Sequence, residues 1–505
     1  MLTSPPSLHQ TPFERLWELA SNLWWSWNPT ARQVFQALDQ TLWRHTQHNP
    51  IKQLQEISPA RLAQLTEDIL FMRQYTAALK AFDDYMTATD HWFGTHYPQI
   101  QAPIAYFSAE FGLHNSIPIY SGGLGILAGD HLKEASDLGV PLVGISFMYA
   151  QAYFRQVIRP DGWQEAVYEP VNRHAMPIQP VLTASGDHCR IQVELGSRIV
   201  TCAVWMIRVG RSHLYLLDTD VPENDPTDRT LSSRLYGGDL TIRLAQEMLL
   251  GIGGVRVLRA VGLQPTVWHA NEGHAAFLNV ERLREYRQQG LSFDEALQTV
   301  RRSSLFTTHT PVPAGHDIFP ASLIEQHFAG YWDHMGLTRE EFLALGKHPH
   351  DPTDRFHMTA LAIRLSAMVN GVSQEHARVS RKMWHCLWPD FPLERVPITS
   401  VTNGIHIPTW IAPEMIHLYS KYLGPLWLDQ SDDAAIWHRV LDIPDHELWE
   451  VRQFLKRKLL SFMCQRNRQG WITGKLEAQQ VLAKKRDVQV AFAVSHSHTH
   501  THTHN

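Results

Sequence analysis

The run YSGGLGILAGDHLKEASDLGVPLVGIS, residues 120–146, holds a glycine-rich turn, a helical period, a stop and an apolar strand in immediate succession. In LAGDHLKEASDL (127–138), Leu127, Leu132, Ala135 and Leu138 share one side of a helix. Gly139 and Pro141 then end it, and PLVGISFMY supplies a strand. Upstream, IAYFSAEF (104–111) reads as the strand that enters the glycine turn. The same alternation continues downstream. TVWH (266–269) precedes the helix HAAFLNVERLREY, SLFTTH (304–309) forms a strand, MVNGVS (368–373) precedes QEHARVSRKMW, and ITSVTNG (398–404) forms the last strand. Strand-length apolar runs alternating with helical periods predict βαβ units around a parallel sheet, a doubly wound α/β lobe.

The outer parts of the chain differ from this lobe. Residues 11–95 are helical in pattern and rich in tryptophan, with Trp17, Trp24, Trp25, Trp27 and Trp43 at spacings that favour a packed core over a sugar-stacking platform. Residues 445–468 predict a long amphipathic helix, with Leu448, Val451, Leu455 and Leu459 three and four apart. The expected division is a helical domain over 1–98, the α/β lobe over 99–430, the start of a further lobe over 431–493, and a His/Thr tail over 494–505.

Composition narrows the function classes. With 505 residues, 44% hydrophobic and 10% aromatic, the chain can bury a large core. A net charge of -5, from 45 Lys plus Arg against 50 Asp plus Glu, argues against nucleic acid as a partner. The apolar stretches, such as 248–255, fall short of the ~20 residues that cross a bilayer, so no membrane segment is expected. The N-terminus lacks the pattern of a signal peptide, and Cys189, Cys202, Cys386 and Cys464 form no CxxC pair, which fits a reducing cytoplasm.

In an open parallel sheet, ligands bind beyond the carboxyl ends of the strands, and four segments occupy such places. Ser121-Gly122-Gly123-Leu124-Gly125 opens a helix, where free N–H groups favour an anion. The alternative is a tight turn that packs the helix on the sheet. Glu110 precedes it and reads as a local hydrogen-bond acceptor before a ligand to a cation or sugar. In His269-Ala270-Asn271-Glu272-Gly273-His274 the HExxH spacing of a zinc site is absent, and His274 is placed to donate to a substrate hydroxyl. Thr307 to His316 is a polar strand end with a loop stiffened by Pro311 and Pro313. Val401-Thr402-Asn403-Gly404-Ile405-His406 reads as a turn.

These segments, with YFSAEFGL (106–113), VWHANEGHAAF (267–277), THTPVPAG (308–315), VNGVSQEHARVSRKMW (369–384) and TNGIHIPTW (402–410), resemble the α-glucan phosphorylases. LYGGDLTIRLAQEMLLGIGG (235–254) and the Trp-rich helices are similar to the bacterial and archaeal branch, over about residues 15–480. The resemblance implies a two-lobed GT-B fold. It implies phosphorolysis of terminal α-1,4-linked glucose in glycogen or maltodextrin to glucose 1-phosphate, with pyridoxal 5'-phosphate as cofactor. By position, Gly122 and Gly123 match the phosphate-side glycine loop, Leu124 a residue beside the glucosyl unit, and His274 the histidine that contacts glucose. Asn403 matches a sugar-hydroxyl ligand and Trp410 a wall of the cofactor pocket.

No segment matches the family's basic phosphate loop or its cofactor lysine. The expected first strand of the second GT-B lobe, VQVAFA (488–493), runs into VSHSHTHTHTHN, which reads as the product of a frame change or assembly error. The resulting expectation is a truncated second lobe, no covalent cofactor attachment and no activity of the chain alone. The alternatives are a non-catalytic glucan-binding module, one half of a split phosphorylase completed by a separate C-terminal lobe, or a nucleotide-sugar glycosyltransferase of the same fold. A homo-oligomer is left open.

Overall fold

The glycine-rich run opens a helix at Gly123 that ends at Leu138, where Gly139 takes the left-handed conformation (φ 72°) that closes the C-terminus. The computed structural model describes residues 5, 8–9, 11–159, 161–353 and 355–472, with side chains through 465 apart from that of 314. The expected strand 488–493 and the His/Thr tail lie outside the described residues.

Among the described residues, ten strands form the main sheet: β1 (Ile104–Phe107), β2 (Leu142–Phe147), β3 (Ile178–Pro180), β4 (Arg190–Leu195), β5 (Arg198–Val209), β6 (Ser212–Asp218), β7 (Val267–Asn271), β8 (Ser304–Thr308), β9 (Met368–Gly371) and β10 (Thr399–Ser400). Their spatial order is β10-β9-β8-β7-β1-β2-β6-β5-β3, with β4 beside β5. Seven of them, from β10 across to β6, run parallel. The chain leaves β1 toward β2 and β6, then returns to β7 on the other side of β1 and continues outward. The strand order therefore reverses between β1 and β7, and a crevice opens at their carboxyl ends.

The sheet is mixed rather than wholly parallel. β5 pairs antiparallel with β6, β4 and β3. Short connections force this: Gly196 (φ 62°) joins β4 to β5 and Gly210 (φ 60°) joins β5 to β6, and such tight turns connect only antiparallel neighbours. The strands expected at 104–111 and 398–404 are shorter, the first ending at Phe107 and the second spanning only Thr399–Ser400.

The N-terminal segment is helical, as its pattern predicts. Asn28-Pro29, Asn49-Pro50 and Ser58-Pro59 each start a helix, the side chain capping and the proline occupying the first turn. Trp24, Trp25, Trp27 and Trp43 are all buried, and Trp25 meets Phe35 and Trp43 edge to face at 5.5 and 5.9 Å. They are core.

Two compact units divide the chain at Thr409 and Trp410. The first contains both the helices and the sheet, so the helical segment is not a separate body. The second begins ahead of the boundary expected at 430, since the helix Pro413–Leu423 packs on the turn Arg439–Asp442. Its core centres on Trp427, stacked edge to face on Tyr419 and Trp437. Its long helix, Asp445–Ile472, half-buries Leu448, Val451 and Leu455 but leaves Leu459 exposed. No helix among the described residues is long and apolar enough to cross a membrane.

Candidate functional site

The carboxyl end of β1 delivers Ser108, Ala109 and Glu110 to the crevice, all three buried. Glu110 anchors the glycine loop: its Oε2 accepts the backbone N–H of Ser121 at 2.8 Å and of Gly122 at 3.2 Å, and its Oε1 accepts from the Tyr236 hydroxyl at 2.7 Å. Glu110 is thus the local acceptor its sequence context predicts. Among the described residues, the N–H groups of Gly123 and Leu124, the next two in the helix, meet no acceptor.

The glycines of this loop serve different ends. A Cβ on Gly125 would lie 2.6 Å from Glu110 Oε2, and one on Gly129 would enter the carbonyl oxygen of Gly112, so both are required by packing. A Cβ on Gly122 or Gly123 would meet nothing within 4 Å, and both residues are exposed with φ outside the left-handed region. Packing does not explain them. An open surface with unused N–H groups at a helix start does: it is a cradle for an anionic group.

Across the switch point, β7 delivers Asn271, Glu272 and His274. Nε2 of His274 accepts the backbone N–H of Ala109 at 3.1 Å, which places the proton of the neutral ring on Nδ1. Burial pushes this imidazole below its ordinary value, against the opposing charges of Asp317 and Glu272. A hydrogen bond to a sugar hydroxyl must therefore come from Nδ1.

Glu272 has φ 75° and ψ 167°, a conformation nearly confined to glycine and costing ~1–3 kcal/mol. Its carboxylate compensates by accepting N–H groups from His309 at 2.8 Å and Thr310 at 3.0 Å and the hydroxyl of Thr310 at 3.1 Å. Burial alone would raise this carboxyl. The charge of the His309 ring and that residue's N–H hold it below the usual range. His309 Nε2 in turn lies 2.6 Å from Asn271 Oδ1, and Asn271 donates to Ser108 at 3.1 Å. The loop 309–316, stiffened by its two prolines, thus closes a network joining β1, β7 and β8.

A third wall comes from the helix Leu240–Met248. Arg243 pairs with Asp317 at 2.5 Å and stands over the Tyr236 ring at 5.1 Å. Glu247, 3% exposed, has no hydrogen-bond partner on either oxygen among the described residues, and burial pushes its carboxyl well above the carboxylate range. Tyr236, Arg243, Glu247 and His274 line a cavity of about 20 Å3, room for one water.

Comparison with known proteins decides what this crevice belongs to. The chain is 44% identical over 450 residues to maltodextrin phosphorylase of Thermococcus litoralis, covering 89% of this chain and 53% of that protein. It is 39% identical over 471 residues to glycogen phosphorylase of Aquifex aeolicus, covering 93% of this chain and 67% of that protein. The chain belongs to the glycogen and maltodextrin phosphorylase family. Glycogen phosphorylase of Mycobacterium tuberculosis aligns at 41% identity over 474 residues, 90% of this chain and 54% of the relative. The chain spans about half the length of the Thermococcus and Mycobacterium relatives and two thirds of the Aquifex one. A family model described as a protein of unknown function, DUF3417, matches residues 10–117, which include the Trp-rich helices.

In this phosphorylase chain the residues assigned from sequence are only partly gathered. The Gly122–Leu124 turn and His274 are both tied to the end of β1, the first through Glu110 and the second through Ala109. Asn403 follows β10, three strands beyond β7, and its N–H donates to the Val372 carbonyl at 3.2 Å. Trp410, half-exposed, opens the second unit. Sequence reasoning overlooked Tyr236, Arg243 and Glu247, and it singled out the segments that hold Glu272 and His309 without giving either residue a role. The one available signal was the double glycine 237–238 beside Tyr236, because the backbone strain at Glu272 and the partners of Glu247 depend on contacts made in the fold.

Proposed function

We propose that this chain supplies the glucan-facing lobe of an α-glucan phosphorylase of GT-B architecture, acting in the cytoplasm. The reaction breaks the C1–O bond of the terminal α-1,4-linked glucosyl unit, joins C1 to a phosphate oxygen and passes a proton to the departing 4-hydroxyl, yielding glucose 1-phosphate. The observation that carries this reading is the cradle at Gly122 and Gly123, open to an anion and held from behind by Glu110. The N–H groups of Gly123 and Leu124 meet developing negative charge without reorganising. His274, turned by Ala109 to present Nδ1–H, orients the glucosyl unit, with Leu124 beside it and Asn403 as a further hydroxyl ligand.

Pyridoxal 5'-phosphate, when bound, supplies a phosphate that exchanges a proton with the attacking phosphate. The open Cβ positions of Gly122 and Gly123 fit a phosphate-bearing group of this kind. Lys133, on the same helix as the glycines, is committed to Thr409 and is no candidate for covalent attachment.

The test is electrophoresis of the chain through gels containing glycogen, paired with an assay for glucose 1-phosphate from maltodextrin, phosphate and pyridoxal 5'-phosphate. Retardation by glycogen that is lost in Gly123→Val supports the reading. A chain that is neither retarded nor productive overturns it.

A further inference from the structure

The helix that begins at the glycine cradle carries Lys133 and Asp137 four residues apart, on one face. Lys133 Nζ lies 3.1 Å from Thr409 Oγ1, Thr409 Oγ1 lies 2.7 Å from His406 Nδ1, and His406 Nε2 lies 3.0 Å from Asp137 Oδ2. The Asp137 carboxylate only accepts, so His406 donates to it from Nε2, and lysine only donates, so Thr409 accepts from Lys133. The Nδ1 of a neutral His406 ring then takes the Thr409 O–H. His406 is fully buried and Lys133 nearly so, and breaking any link leaves a buried polar group without its partner.

The N-terminal helices grip the same node. Trp27 Nε1 donates to Asp137 Oδ1 at 3.2 Å and Tyr85 donates to it at 2.7 Å. The Trp27 ring meets His406 edge to face at 5.4 Å and lies 5.8 Å from Lys133 Nζ. Asp137 thus accepts from three side chains: two of the helical segment and one of the strap that carries Asn403 away from β10.

We propose that this ring is a positioning latch, in which Lys133 and Asp137 seize the strap 403–409 and set Asn403 relative to the glycine cradle, while Trp27 and Tyr85 clamp Asp137. None of the four touches substrate; each acts through the strap. The latch gives the N-terminal helices, which a family model of unknown function matches, a task at the sugar site. The inference rests on reading Asn403 and the glycine loop as glucan ligands.

Thr409→Val tests it, because it removes one hydroxyl and conserves shape. Amide hydrogen exchange of the full chain is followed over 401–409, over β2 and over β7, and maltoheptaose affinity is measured by calorimetry. The expected result is exchange over 401–409 faster by about tenfold, the equivalent of one lost hydrogen bond. Maltoheptaose should bind more weakly by a similar factor, with β2 and β7 unchanged. Thr409→Ser should restore both, and Trp27→Phe should loosen 401–409 despite its distance in sequence. Unchanged exchange over 401–409 in Thr409→Val, or equal acceleration in all three regions, overturns the latch. A wild-type chain that binds no maltoheptaose but shows the local exchange response overturns the glucan reading and keeps the latch.

Discussion

Ala109 donates its backbone N–H to Nε2 of His274 at 3.1 Å, tying the end of β1 to the turn after β7 at the point where the strand order reverses. A proton added at Nε2 would face that N–H and break the tie. Burial lowers the imidazole's affinity for a proton in the folded chain, so the unfolded chain binds it more readily. The stability His274 contributes is therefore intact above its ordinary value near 6.5 and lost as the pH falls below it. His274→Gln, which keeps an acceptor for Ala109, should show a smaller fall in unfolding free energy between pH 7 and pH 5 than wild type, measured by urea titration at each pH.

The glycine loop should separate binding from stability. Gly129→Ala drives a methyl group into the Gly112 carbonyl and should destabilise by about 2 kcal/mol. Gly123→Ala meets open space and removes backbone freedom from the unfolded chain, so its stability should stay within about 1 kcal/mol of wild type, on the stabilising side. The same methyl group occupies the cradle, and affinity for maltoheptaose in the presence of phosphate should fall by about tenfold. Calorimetric melts of the two variants, set beside their binding isotherms, check the crossing.

Much of this arrangement is legible in the linear order of residues, for a definable reason. The helix after the glycine loop and strands β2, β7, β8 and β9 declare themselves because each buries a face set by its own periodicity. The extension from β3 to β6 is not read the same way, since its tight turns need only Gly196 and Gly210 among many glycines. The site divides likewise. Gly122, Gly123 and His274 stand in recognisable local patterns, whereas Glu272 matters through a backbone angle held by His309 and Thr310, 37 and 38 residues away. Asp137 shows the limit most clearly. On the helix it reads as a solvated carboxylate, and only the fold brings it Trp27, Tyr85 and His406.

Asn22 joins the helical segment to the sheet at a single glycine. Its Oδ1 accepts the N–H of Gly210 at 2.8 Å and of Trp24 at 3.0 Å, and its Nδ2 donates to the Gly210 carbonyl at 2.9 Å. Asn22 is 2% exposed, so Asn22→Ala strands three backbone groups away from water. The expected loss is about 3 kcal/mol in urea unfolding, with Asn22→Asp losing less because the carboxylate still serves both N–H groups.

Glu247 makes the opposite prediction, that removing a charge-capable group stabilises. Its carboxyl is 3% exposed, has no hydrogen-bond partner on either oxygen among the described residues and sits 3.8 Å from Arg243, which is already paired with Asp317. Burial pushes its proton affinity up, and the Asp317 charge adds to this against the pull of Arg243. The folded chain thus holds a proton that the unfolded chain releases above its ordinary value near 4.5. Stability from this group is complete below that value and declines as the pH rises, by up to about 1.4 kcal/mol per pH unit while the proton stays bound. Glu247→Gln keeps the shape and has no proton to hold. It should match wild type near pH 4.5 and exceed it increasingly toward pH 8.5, with the gap read from urea unfolding at four pH values. A constant gap across that range would mean that Glu247 is ionised in the folded chain and that Arg243 holds it so.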